Sequence, residues 1–233
     1  MKRKRIMLKV SGEMLAGPGG QGADPAAVIL VAQEIKTLWK KKIQLAITVG
    51  GGNFWRFRDN KKLSISRTSS DAIGMLATMM NGRLLQEALQ SIGVPAHVLA
   101  PHADFYFAEP YVPSRGQAFL ARGEVVLCAG GTGNPYFTTD SSAALRALEL
   151  GCDVLLKETK VQGVYDKDPM KHKNAKFFPT ISYDEMLKRE LQVMDLSAIL
   201  LCKDNGLPVH VFQGKPGNLL KVATGKKLGT LIS

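Results

Sequence analysis

Apolar runs of strand length alternate with helix-like segments along the chain, and this alternation limits the fold more than any other feature. Val, Ile and Leu fill these runs almost without interruption, which is typical of strands buried on both faces, as in a parallel sheet. Alternating strands and helices predict a doubly wound α/β fold with helices on both faces of the sheet. The predicted core strands are residues 5–10, 43–49, 96–100, 125–129, 153–157 and 209–213.

Two helices have clear limits in the sequence. Asp24 and Pro25 form a favourable N-cap and first-turn pair, and the helix that they start is expected to end near Lys41. A second, longer helix is expected over residues 70–91. No repeat, low-complexity block or linker interrupts the pattern, so we expect a single domain over residues 1–233.

Composition narrows the function classes. The 233 residues are 45% hydrophobic and 22% charged, as in ordinary globular proteins. No apolar run approaches the ~20 residues that span a bilayer, and the N-terminus lacks the long apolar core of a signal peptide. We therefore expect a cytoplasmic protein. The four His and three Cys show no metal-ligand spacing, so no metal held by protein side chains is expected.

The net charge of +11 raises nucleic-acid binding as an alternative, since Lys and Arg neutralise backbone phosphates. However, the basic clusters are dispersed, and no recognition helix, zinc finger or RNP pattern is present. We therefore expect most of these side chains to be solvated, and nucleic acid not to be the main partner. The basic clusters are residues 2–5, 40–42, 56–62, 171–176 and 226–227.

Three glycine-containing turns directly follow predicted strands: VSGE (10–13), VGGGN (49–53) and GGTGNPYFTTD (130–140). Free backbone N–H groups at such strand-to-helix turns favour an anion. Parallel sheets bind ligands at the carboxyl ends of their strands, so we expect these turns to converge on a nucleotide or phosphorylated substrate. G-x-x-x-x-G-K-[ST] is absent, and the G-x-G-x-x-G match at 17–22 begins too far beyond its strand, so it is expected to be a surface loop.

Six blocks, in order and over essentially the whole chain, resemble the bacterial uridylate kinases of the amino acid kinase superfamily. A single glycine turn would be weak support, whereas six blocks in register are specific. The blocks are KVSGE (9–13), VGGGN with Arg56 (49–56), SSDAIGMLATMMN (69–81), GTGNPYFTTDSSAALRALELG (131–151), VLLKETKVQGVYDKDP (154–169) and ELQVMDLSA (190–198).

The resemblance implies transfer of the γ-phosphoryl group of MgATP to UMP, giving UDP. It also implies a three-layer αβα sandwich around a mainly parallel sheet, Mg²⁺ carried by the nucleotide, and a homohexamer. Family members often respond allosterically to GTP and UTP. This chain departs from the family pattern at residues 57–69 and 108–119, so the sequence leaves that regulation open.

The matching motifs also imply the site residues. Lys9 would lie near the transferred group, and Asp71 would hold the UMP ribose. The residues implied for ATP are Lys9, Val10, Ser11, Gly12, Gly52, Arg56, Thr159, Tyr165 and Asp168. Those implied for UMP are Gly51, Asp71, Thr132, Gly133, Asn134, Pro135, Tyr136, Phe137, Thr138 and Thr139. Those implied for catalysis are Lys9, Arg56, Lys157, Asp140 and Asp195.

Several of these residues have a simpler structural explanation. Asp71, Asp140 and Asp195 each lie near a predicted helix start and could act only as N-caps. Lys160 could fill the role given to Lys157.

Two further functions compete with the first. Another amino acid kinase could act on a carboxylate or carbamate, but its acceptor loop should lack the GTGNPxFTTD pattern. A nucleotide-binding regulator could use the same fold without turnover, but such a protein would be free to lose Lys9, Arg56 and Asp140.

Overall fold

The computed structural model describes residues 5–59, 63–102 and 104–233, and the statements below concern these ranges. The strands are β1 (Arg5–Val10), β2 (Gln44–Val49), β3 (Ala96–Ala100), β4 (Glu109–Pro110), β5 (Val125–Cys128), β6 (Val154–Thr159), β7 (Val164–Tyr165), β8 (Phe177–Phe178), β9 (Thr180–Ile181), β10 (Val209–Gln213) and β11 (Thr230–Ile232). The helices are α1 (Pro25–Lys40), α2 (Arg67–Ser91), α3 (Pro113–Arg122), α4 (Thr139–Glu149), α5 (Tyr183–Lys188), α6 (Leu196–Asp204) and α7 (Asn218–Ala223).

Nine of the described strands form one sheet in the order β4-β3-β5-β2-β1-β6-β10-β11-β9. Every neighbouring pair in it is parallel except β10 and β11. The other two strands, β7 and β8, form a separate antiparallel pair. The six predicted core strands are confirmed as β1, β2, β3, β5, β6 and β10, with small differences at their ends.

Side chains alternate between the two faces of the sheet and build a hydrophobic core on each. Along β1, Ile6 and Leu8 join the core under α1, α2 and α7, whereas Met7 joins the core under α3, α4 and α6. All three side chains are no more than 1% exposed, so the strand is buried on both faces. The predicted three-layer αβα sandwich is therefore confirmed.

Helix capping explains where α1 and α2 begin. The Asp24 carboxylate accepts backbone N–H bonds from the first turn of α1, as predicted. Helix α2 begins at Arg67 rather than near Ser70, because the Ser66 hydroxyl supplies its cap. Asp71 therefore lies inside α2, and the interpretation of Asp71 as only an N-cap is wrong.

No helix in the described ranges combines the length and apolarity needed to cross a membrane. Residues 2–4 and 60–62 of the predicted basic clusters lie outside the described part of the chain. Of the cysteines, Cys128 and Cys202 are buried in the core and Cys152 is half-buried.

Candidate active site

The loops that follow β1, β2, β5 and β6 lie at one edge of the sheet, as the strand directions require. Two cavities open there, of about 1010 Å³ and about 420 Å³. Gly52, Trp55 and Arg56 line both, so the two cavities adjoin along this segment. The glycine segment 17–22, expected to be a surface loop, contributes Gly17, Gly20, Gln21 and Gly22 to the wall of the larger cavity.

Close packing of backbone holds the first two turns together. A Cβ atom on Gly12 would lie 2.6 Å from the carbonyl oxygen of Gly50 and 2.4 Å from Oδ1 of Asn53. The N–H of Gly50 in turn donates to the carbonyl of Val10 at 2.9 Å. The turn after β1 can approach the turn after β2 this closely only because Gly12 has no side chain. The side chain of Val10 lies in the core, so Val10 contributes only its backbone to the site.

Two lysines and one carboxylate form the charged centre of the site. Lys9 and Lys157 are direct neighbours in the register of β1 and β6. Asp140, in the first turn of α4, accepts a hydrogen bond from Nζ of Lys157, and its Oδ1 lies 3.3 Å from Nζ of Lys9. Two ammonium groups therefore face one carboxylate at this end of the sheet, and the charge of Asp195 also acts on Lys157.

Burial sets the chemistry of this centre. The side chains of Lys157 and Asp140 are 9% and 14% exposed. Desolvation lowers the pKa of Lys157, and the charge of Asp140 opposes that effect. Helix α4 is capped by the Thr138 hydroxyl, which accepts the N–H of Asp140 at 3.0 Å, so the interpretation of Asp140 as only an N-cap is wrong.

Asp195 lies at the start of α6, whereas Asp140 lies in the first turn of α4. It caps α6 by accepting the N–H of Ala198 at 2.9 Å, and it also accepts hydrogen bonds from the hydroxyls of Thr138, Ser141 and Ser197. Burial by itself raises the pKa of Asp195, but these four hydrogen bonds outweigh it and the net pKa is lowered. Asp195 thus anchors the start of α4, which carries Asp140.

A second ionic group crosses the larger cavity. Glu13 pairs with Arg56 and, at 2.8 Å, with Nζ of Lys160. The hydrogen bonds from Lys160 and then Arg56 lower the pKa of Glu13 to about 2. Arg56 also donates from Nε to the carbonyl of Gly52 at 2.9 Å. Glu13 lies within the VSGE turn, but no role was predicted for it from the sequence.

The remaining residues predicted for ATP are only partly brought together. Ser11 and Thr159 line the larger cavity, and the Thr159 hydroxyl donates to the carbonyl of Val161 at 2.8 Å. Tyr165 packs on Phe177 with ring centroids 5.4 Å apart. Neither Tyr165 nor Asp168 is among the described residues that line the two cavities, so their roles stay predictions.

The smaller cavity contains most of the residues predicted for UMP. Gly133, Pro135 and Tyr136 belong to the same loop but do not line the cavity within the described ranges. The predicted residues that do line it are Gly51, Asp71, Thr132, Asn134, Phe137, Thr138 and Thr139.

Asp71 connects α2 to the loop between β5 and α4. Its Oδ2 accepts the N–H of Tyr136 at 2.7 Å, and Nε of Arg67 donates to both of its oxygens at 2.8 Å. The guanidinium of Arg67 also lies over the rings of Phe57 and Tyr136, at 5.4 and 5.8 Å. Arg67 was not predicted from the sequence, although an opposite charge at i,i+4 on a helix is a readable signal.

Comparisons with known proteins identify the family of the chain. A sequence model described as the amino acid kinase family matches residues 4–213. A curated relative, the chloroplastic uridylate kinase PUMPKIN of Arabidopsis thaliana, is 44% identical over 234 residues, covering 100% of this chain and 69% of the relative.

Solved structures give the same picture. The UMP kinase of Bacillus anthracis superposes with a TM-score of 0.96 at 34% identity, covering 99% of this chain and 96% of that one. The UMP kinase of Ureaplasma parvum gives a TM-score of 0.94 at 34% identity, with 100% of both chains covered. The uridylate kinase of Archaeoglobus fulgidus gives 0.75 at 27% identity, covering 98% and 99%.

Proposed function

This chain belongs to the amino acid kinase family, and we propose from that premise that it is a UMP kinase, transferring the γ-phosphoryl group of MgATP to UMP to give UDP. One observation carries the proposal. A large and a small cavity adjoin at a segment that contains Arg56, beside the buried centre of Lys9, Asp140 and Lys157. The UMP and uridylate kinases similar to this chain over nearly its whole length support the choice of acceptor.

In this proposal ATP occupies the larger cavity and UMP the smaller one. Phosphoryl transfer depends mainly on positioning and charge neutralisation, and a phosphate acceptor is already largely ionised at pH 7, so no strong general base is needed. Lys9, Lys157 and Arg56 offset the charge that develops on the transferred group. Asp140 keeps both lysines in place. Asp195 acts one step further away, by anchoring the start of α4 through Thr138 and Ser141.

We infer that Mg²⁺ enters with the phosphates of ATP and adds to the neutralisation of their charge. The charged side chains where the two cavities adjoin are mostly cationic: Lys9, Lys157 and Arg56 outnumber Asp140. This set fits an ion that is held chiefly by phosphate oxygens. Asp140 is the carboxylate that pairs with both lysines at this end of the sheet, so it is the residue suited to face the water shell of that ion.

We also propose that the protein assembles with further copies of itself. Helix α2 carries an apolar stripe of Ile73, Leu76, Met80 and Leu84, whose exposed fractions run from 38% to 61%. Their spacing of three and four residues puts them on one helix face, which a second copy of α2 could cover. Sedimentation should give a mass above that of one chain, and Leu76→Asp should lower it. A monomeric wild type would contradict this proposal.

The hexameric state, regulation by GTP and UTP, and a cytoplasmic location stay predictions.

The deciding assay is ADP release by the purified protein with MgATP and, in parallel reactions, UMP, CMP, AMP or carbamate. We expect turnover with UMP, near-complete loss in Lys9→Ala, and wild-type turnover in the matched control Lys226→Ala, which changes an exposed lysine. Turnover with carbamate instead would favour another amino acid kinase. Binding of UMP without turnover on any acceptor would favour a nucleotide-binding regulator, which the intact charged centre does not support.

A further inference from the structure

Two buried asparagines join helix α2 to the turn after β2, and none of the roles assigned above includes them. Asn81 lies on α2 and is 0% exposed, and Asn53 lies in the turn and is 3% exposed. Their side-chain amides bind each other. Nδ2 of Asn81 donates to Oδ1 of Asn53 at 2.7 Å, and Nδ2 of Asn53 donates to Oδ1 of Asn81 at 3.1 Å.

The second hydrogen of each amide reaches the carbonyl of a glycine. Nδ2 of Asn81 donates to the carbonyl of Gly50 at 2.7 Å, and Nδ2 of Asn53 donates to the carbonyl of Gly22 at 2.6 Å. A backbone carbonyl can only accept a hydrogen bond, so it fixes which end of each amide faces it. Every amide hydrogen and oxygen of the two asparagines is therefore engaged.

The carbonyl that Asn81 holds belongs to a peptide beside the charged centre. A Cβ atom on Gly50 would lie 3.6 Å from Oγ1 of Thr139, the first residue of α4. The next residue of that helix is Asp140, which pairs with both lysines of the centre. Gly51, on the other side of the same peptide, lines the smaller cavity.

The turn after β2 also marks the boundary between the two cavities. Gly52, which follows Gly51, lines both of them. Donor and acceptor phosphates must come into contact for transfer, so they have to meet at this boundary. The backbone N–H of Gly51 has no partner among the described residues, which leaves it available to a phosphate oxygen there.

We propose that Asn81 is a positioning residue for the phosphate of the acceptor nucleotide, acting through the peptide that joins Gly50 to Gly51; this rests on the proposed function. In a trans peptide the C=O and the following N–H point in opposite directions. Asn81 holds the carbonyl of Gly50 in the protein interior, so the N–H of Gly51 is directed away from Asn81, toward the acceptor phosphate. Asn81 thus prepares a phosphate donor without touching the substrate.

The glycines of this turn explain why a buried amide is needed. Glycine adopts both signs of φ readily, so a peptide between two glycines reverses at little cost. A reversed peptide would present the carbonyl oxygen of Gly50 to a dianionic phosphate. Stability alone does not call for the amide, because replacing both partners of a buried hydrogen bond by apolar groups of the same shape is nearly neutral. An apolar side chain at position 81 could not hold the carbonyl.

Steady-state kinetics of Asn81→Leu test the proposal, because leucine has a similar volume but no donor. We expect the KM for UMP to rise on the order of tenfold, since a hydrogen bond to a charged group is weakened. The KM for ATP should stay within about twofold of the wild type. Gly22, in the wall of the larger cavity, keeps the hydrogen bond from its N–H to the carbonyl of Asn53, at 2.9 Å.

Gln86→Leu is the matched control. Gln86 is a buried amide on the same helix, and its Nε2 donates to the carbonyl of Ala96 at 2.9 Å, away from both cavities. Both variants should lower the melting temperature, but only Asn81→Leu should raise the KM for UMP. A folded Asn81→Leu enzyme with an unchanged KM for UMP would overturn the proposal. An equal rise in Gln86→Leu, or in the KM for ATP, would overturn it as well.

A crystal structure of the wild type with UMP keeps the proposal testable if Asn81→Leu does not fold. We expect the nitrogen of Gly51 within about 3.2 Å of a phosphate oxygen, with Nδ2 of Asn81 still on the carbonyl of Gly50. A UMP phosphate out of reach of that N–H would refute the positioning role. A wild type that is inactive with UMP would refute the proposed function instead, so the two failures are distinguishable.

Discussion

Glu158→Gln should make the protein more stable at neutral and alkaline pH. Glu158 follows Lys157 on β6, and its carboxyl group packs on Gly214, where a Cβ atom would lie 1.9 Å from Oε1. Burial, and then the charge of Glu34, raises the pKa of Glu158 from 4.5 to about 7. The folded protein therefore favours the neutral acid at this position, and glutamine is its uncharged isostere.

The size of the effect follows from the two pKa values. Between pH 4.5 and about 7 the folded state binds more protons at Glu158 than the unfolded chain does, so the stability from this group falls as the pH rises. The full shift corresponds to about 3 kcal/mol above pH 7. The unfolding free energy of the variant minus that of the wild type should be about 2.5 kcal/mol larger at pH 8 than at pH 5.

Urea unfolding, followed by the fluorescence of Trp39 and Trp55, provides the measurement. Wild type, Glu158→Gln and the control Glu190→Gln, which changes an exposed glutamate, are compared at pH 5 and pH 8 at one protein concentration. The control should show no pH-dependent gain. A difference between Glu158→Gln and the wild type that is independent of pH, or that favours the wild type at pH 8, would refute the reasoning.

Two further predictions concern the charged centre and a turn of the sheet. Asp140→Asn leaves Lys9 and Lys157 facing each other without a carboxylate, so we expect kcat with UMP to fall on the order of 100-fold. The circular dichroism spectrum should be retained. A loss of kcat under threefold would contradict the role given to Asp140. Gly229→Ala places a Cβ atom 2.2 Å from the carbonyl oxygen of Val211 at a φ of +83°, so chemical denaturation should show a loss of about 2–4 kcal/mol, and an unchanged midpoint would contradict the strain.

The layered architecture was predictable because its strands are long and apolar. Residues 5–10 (RIMLKV) and 209–213 (VHVFQ) are mostly apolar, and both form core strands with the predicted limits. The strands that were missed, such as β4 and β7, are two residues long, and pairing across the fold rather than local composition creates them. The family predicted from the six sequence blocks is confirmed by the match over residues 4–213.

The site was predictable where a residue type and a strand end coincide. Lys9 and Lys157 each lie near the end of a predicted parallel strand, so their convergence followed from the strand directions alone. Glu13 and Asn81 were not found, because each acts through a contact with another segment, whereas the pair of Arg67 with Asp71 one turn along α2 was a readable signal. The carbonyl that Asn81 holds lies 31 residues earlier in the chain, in the turn after β2. No spacing in the sequence indicates that contact.

Asp140 and Asp195 show why a helix-start aspartate cannot be interpreted from its own helix. Both sit beside a helix start, yet Asp195 is the N-cap of α6, whereas Asp140 lies in the first turn of a helix already capped by Thr138. Because the Thr138 hydroxyl caps the helix, the carboxylate of Asp140 is available to contact side chains of the strands on which the helix packs. Helix α4 packs on β1 and β6, whose neighbouring register residues Lys9 and Lys157 supply two cations there. The role of Asp140 therefore comes from the cap before it and from the strand pair beneath it. Replacing Thr138 by alanine should loosen Asp140 from both lysines even though the carboxylate itself is retained.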